Sequence, residues 1–93
     1  MDKKKLQIVR NKIDKLDNRL LLLIKERTNL VNQVIKIKKY KNQIRDNVRI
    51  NKILGNIRTK SIKMKIDPMI CKRIWTSMIK SYIEYEKKKF KKK

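Results

Sequence analysis

LQIVRNKIDKLDNRLLLLIKERTNLVNQVIKI, residues 6–37, carries its apolar side chains on a heptad. Leu6, Ile13, Leu20 and Val34 share one position, and Val9, Leu16, Leu23, Leu30 and Ile37 share the other. No Gly or Pro interrupts the stretch, so the spacing predicts one long helix with an apolar seam. Over residues 2–39 such a helix measures about 57 Å, at about 1.5 Å per residue. The rest of the chain is too short to cover that seam. Self-association is therefore expected, most simply as a two-fold homodimer.

Two further helices follow from punctuation. Residues 40–45 are polar and include Asn42, which reads as a loop. Asp46 or Asn47 can then cap a second helix with Val48, Ile50, Ile53, Leu54 and Ile57 as its apolar positions. Gly55 inside it costs about 1 kcal/mol relative to Ala. Asp67-Pro68 is a start signal, an N-cap carboxylate followed by Pro at the first helical position. The third helix is expected to run to about residue 88, with Cys71, Trp75, Met78, Ile79 and Tyr82 on its apolar face. No strand is expected. The reading is all-α, three helices in a single domain over residues 1–93, structured over about 5–88 and ending in a Lys-rich tail that frays into water.

Composition removes whole classes of chemistry. The chain of 93 residues has no His, one Cys, one Gly and one Pro. Without His there is no Ser-His-Asp or Cys-His catalysis and no His-containing zinc site. A single Cys forms no internal disulfide and no metal cluster, which suits a reducing compartment such as the cytoplasm. One Gly builds no phosphate loop. The longest apolar run, residues 20–24, is far below the roughly 20 residues of a membrane span, and no apolar segment follows Lys3, Lys4 and Lys5 to make a secretory signal.

The formal net charge of +21 invites a nucleic-acid reading. Of the 29 cations, however, 22 are Lys and 7 are Arg, and Lys, Ile and Asn together make 45 of the 93 residues. Codon drift toward A and T produces that balance without selection for a basic surface. It tends to erase Arg, so the few arginines carry more information than the many lysines.

Several charged residues break the apolar pattern. Arg27 occupies a seam position between Leu20 and Val34. A guanidinium there needs an anionic partner, because burying it unpaired costs several kcal/mol. A plainer account is an ion pair with a neighbouring helix. Lys38 follows by close to three turns and points nearly the same way, about 16 Å along the axis. Two cations so placed can lean toward one small dianion, although a lysine at a helix end also suits the dipole. Arg10 lies about 25 Å from Arg27 and some 100° around the helix. The two can meet only if an antiparallel copy brings Arg10 from a second chain. Glu86 continues the Trp75, Ile79, Tyr82 stripe, where an acid can stay protonated and donate a hydrogen bond. The competing role is a salt bridge to one of the lysines.

These positions, in this order, resemble the all-helical chorismate mutases. The stretch from Leu6 to Asp17 resembles the opening of that family, and so does Leu21-Leu22-Leu23-Ile24-Lys25-Glu26-Arg27 with Lys38 eleven residues on. Arg45-Asp46-Asn47-Val48-Arg49, and Asp67-Pro68 followed by Trp75, Ile79 and Glu86, also fall where the family has them. The resemblance implies an intertwined helical dimer with two sites built from both chains. It implies conversion of chorismate to prephenate, a step toward aromatic amino acids in the shikimate pathway, with no cofactor and no metal. Carried over, Arg27 of one chain and Arg10 of the other bind the carboxylates of a small dicarboxylate substrate, and Arg49 is a further site arginine. Lys38 and Glu86 flank the ether oxygen, and Asp46 meets the region of the substrate hydroxyl.

Two positions depart from the mutase pattern. Ile50 stands where a glutamate is usual, and Tyr82 where a small hydroxyl residue is usual, among the substrate-contacting positions. Both resemble the isochorismate pyruvate-lyase branch of the same fold. Asp46 and Glu86 look more mutase-like. Outside this family, the rivals are a basic helical module for nucleic acid or an acidic partner and a purely structural coiled coil. Neither gives a reason for Arg27 in a seam or Glu86 on an apolar stripe.

Overall fold

The computed structural model describes residues 2–91 and is all-helical; no strand occurs among the described residues. Three α-helices follow one another, α1 (Lys3–Ile37), α2 (Asn47–Lys63) and α3 (Pro68–Lys89), with a short 3-10 turn, Lys41–Gln43, between the first two. The described residues fall into two units, one up to Gln33 and one from Val34 onward.

The first unit is helix alone. Asp2 accepts from the Lys5 backbone N–H at 3.0 Å and so caps its start. None of the described residues of this unit is buried; Leu6, Arg27, Thr28, Val31 and Asn32 are half-buried. The seam residues Val9, Ile13, Leu16, Leu20, Leu23 and Leu30 are all exposed, each at about half of its surface.

The second unit has a core. Ile44, Ile79 and Ile83 form its buried centre, with Ile50, Ile53, Leu54 and Phe90 packed around them. Helix α2 starts where the sequence signal places it, with the Asp46 carboxylate accepting from the Arg49 N–H at 3.0 Å. Its core stripe is Ile50, Ile53, Leu54 and Ile57, all half-buried. Val48 does not join them, against expectation, and is 81% exposed. At 100° per residue it lies some 160° from Ile50, on the opposite side. The helix ends in a left-handed residue, Lys65 at φ 58°, with the Ile66 N–H donating back to Ser61 at 2.9 Å.

Helix α3 opens on Asp67, which accepts from the Met69 N–H at 2.8 Å, with Pro68 at the first helical position. Cys71, Ile79, Ile83 and Glu86 are its buried residues. The helix ends within a residue of the expected position, about residue 88. The helix continues through Lys89, the Phe90 N–H donates to the Glu86 carbonyl at 2.8 Å, and the Phe90 ring packs on the core cluster. Lys92 and Lys93 of the expected tail lie outside the described residues.

Candidate functional site

The second unit brings Lys38 and Glu86 together. Lys38 stands one residue beyond α1, its N–H still making the last helical bond, to the Val34 carbonyl at 3.0 Å. Its side chain is held at two points. The amine donates to the Ile44 carbonyl at 3.4 Å and lies 3.7 Å from Glu86 Oε1 as an ion pair.

Glu86 is 8% exposed and sits on the stripe of Ile79 and Ile83, as its register predicts. Burial of a carboxylate is costly without a partner, and the Lys38 ammonium meets part of that cost. The stripe therefore holds an acid that faces a cation at the edge of an apolar cluster. Such an arrangement can present two hydrogen-bonding groups, one fixed donor and one that donates only when protonated, to a single acceptor atom.

Asp46 and Lys38 line one open cleft of about 580 Å³, together with Ile37, Lys39, Asn42, Gln43, Arg45, Asn47 and Val48. Asp46 also caps α2, so one of its oxygens is committed to the Arg49 N–H. Glu86, Arg49 and Tyr82 are not among the lining residues of that cleft. Arg49 is exposed on the first turn of α2. Tyr82 is half-buried one turn before Glu86, its ring edge-on to Tyr85 with centroids 6.3 Å apart. Arg10 is exposed and Arg27 half-buried, both on the helix of the first unit.

Two features escaped the sequence reading. Ile44 is the most deeply buried apolar residue, at 3% exposure, yet it lies in a stretch read as a polar loop. Arg45 and Gln43 line the cleft beside Lys38. A lone isoleucine in a loop has no periodicity to reveal it. Ile44 lies two residues before the Asp46 cap, and the N′ position, where an apolar residue would be a recognisable staple, is Arg45.

No helix of the described residues is long and apolar enough to cross a membrane. Comparison with curated proteins and with solved structures found no match to either. Comparison with family models matched residues 9–87 to chorismate mutase type II. That match spans all three helices and contains Arg10, Arg27, Lys38, Asp46, Arg49, Tyr82 and Glu86, so the chain belongs to the all-helical chorismate mutase type II family.

Proposed function

We propose that the protein is a chorismate mutase, acting as a homodimer that rearranges chorismate to prephenate without a covalent step. The observation that carries this reading is the Lys38–Glu86 pair, 3.7 Å apart at the end of an apolar stripe. The reaction is an intramolecular Claisen rearrangement. One carbon–oxygen bond breaks as a carbon–carbon bond forms within the same molecule. The protein must hold an extended dicarboxylate in a compact, chair-like geometry, which is an orientation effect. Negative charge grows on the ether oxygen as its bond to carbon lengthens. Donors fixed at that oxygen favour the transition state over the ground state.

In this reading Lys38 is the permanent donor and Glu86, when protonated, the second. Arg27 of one chain and Arg10 of the other grip the two carboxylates, with Arg49 as a further cation. Asp46 meets the ring hydroxyl. The exposed seam of α1 is where the second copy lies, and each site is incomplete without it.

Replacing Arg27 and Lys38 together by Ala is expected to abolish turnover while leaving a dimer. Retained turnover contradicts the reading. Glu86 supplies a second test. Glu86→Gln keeps the length and a hydrogen-bond donor and is expected to retain turnover, whereas Glu86→Ala is expected to lower kcat at least about tenfold. Wild-type turnover in Glu86→Ala removes Glu86 from the chemistry.

Ile50 favours a second reading, the isochorismate pyruvate-lyase reaction of the same fold. Its side chain packs on the Ile44, Ile79, Ile83 cluster, so the position after Arg49 offers no carboxyl to a ring hydroxyl. Tyr82, half-buried one turn from Glu86, adds bulk at the neighbouring position. Salicylate and pyruvate formed from isochorismate would establish this alternative.

A further inference from the structure

We infer that the loop over residues 38–44 is a device that aims the Lys38 amine, with Gln43 and Ile44 as its positioning residues. The inference rests on the role proposed above for Lys38. A lysine side chain has four rotatable bonds and, untethered, loses much of its precision to rotamer freedom. Here the tether is built from the seven residues that begin with Lys38 itself.

Beyond Lys38 the chain leaves the helix, and the next two backbone N–H groups need new acceptors. Both find the same atom. The N–H groups of Lys39 and Tyr40 donate to Gln43 Oε1 at 2.8 and 3.0 Å. The Gln43 N–H donates back to the Tyr40 carbonyl at 3.0 Å, and the Ile44 N–H to the Lys41 carbonyl at 3.2 Å. One amide side chain thus closes the loop on itself.

Ile44 then ties the loop to α3. Its side chain is buried against Ile79 and Ile83, while its carbonyl accepts from the Lys38 amine at 3.4 Å. Ile83 precedes Glu86 by three residues and Ile79 by seven, so all three share one face of α3. The same packing contact therefore sets the register of both halves of the pair. Glu86 is carried by the helix that Ile44 packs on, and Lys38 is hooked to the Ile44 carbonyl. Neither Gln43 nor Ile44 needs to touch substrate for this.

The test compares Gln43→Met, which keeps length but loses the acceptor, with Ile44→Ala and Ile44→Val, in full-length protein kept folded as judged by circular dichroism. Misplacing a reacting group by about 1 Å can cost up to about a hundredfold in rate. Gln43→Met and Ile44→Ala are expected to lower kcat for chorismate about tenfold or more with KM changed less than about twofold, whereas Ile44→Val stays within about twofold of wild type. A second readout is independent of turnover. The side-chain carboxyl carbon resonance of Glu86, read at neutral pH, is expected to move in Lys38→Met and to move the same way in Gln43→Met. Wild-type kcat together with a wild-type Glu86 resonance in Gln43→Met overturns the inference. If wild-type protein does not turn chorismate over, the mutase reading falls, and the resonance alone then decides whether the loop aims Lys38.

Discussion

Leu22, in the first unit, is 63% exposed, whereas Ile79, in the second, is 8% exposed. The contrast holds across both regions. The helix up to Gln33 displays Ile8, Val9, Ile13, Leu16, Leu20, Leu23 and Leu30 without burying one of them. The region from Val34 onward buries Ile35, Ile44, Cys71, Ile79 and Ile83. The difference is one of neighbours rather than of composition. A single helix has nothing to lay against its own stripe, because its side chains all point away from its axis. In the second unit α2 and α3, joined by a short turn, give each other a surface, and Ile44 plugs the space beside them. An exposed contiguous apolar stripe of that size is the kind of surface that marks an interaction site.

The largest expected effect attacks the exposed region. Leu16→Asp with Leu23→Asp places charges in the seam, where an unpaired buried charge costs several kcal/mol. Sedimentation is expected to show loss of the dimer, with loss of chorismate turnover. A dimer that survives both substitutions puts the partner elsewhere. Next comes the core. Ile79→Ala is expected to lower stability by about 2–4 kcal/mol in denaturant unfolding, while Leu22→Ala, exposed and off the seam, stays within about 0.5 kcal/mol. Equal costs at the two positions would mean that the first unit buries more than its seam. Smaller again is Asp67→Ala, which removes the cap on the Met69 N–H and is expected to cost about 1 kcal/mol. The smallest effect runs the other way. Nothing lies within 4 Å of a Cβ added at Gly55, so Gly55→Ala is expected to raise stability by about 0.5–1 kcal/mol. A destabilised variant would mean that this face of α2 is covered in solution.

Periodicity made α1 legible, because nine of ten seam positions over residues 6–37 are apolar and only Arg27 departs. Local chemistry made the helix starts legible, since Asp46 and Asp67 cap them through their own side chains. Glu86 was legible as an acid on an apolar stripe, and it is buried there beside Lys38. Contacts made by single residues were not legible. Ile44 reaches the core from a loop, Ser61 is buried with its hydroxyl donating to the Arg58 carbonyl, and Phe90 folds back from a lysine-rich end. Each depends on where distant backbone lies, which no local pattern encodes. Val48 differs for a simpler reason: two residues before Ile50, it lies on the opposite side of α2 from the core stripe.

The most direct measurement is product analysis on purified full-length protein given chorismate and, separately, isochorismate, at mildly acid and at neutral pH. Prephenate from chorismate is the predicted result. No prephenate from chorismate at either pH would contradict it.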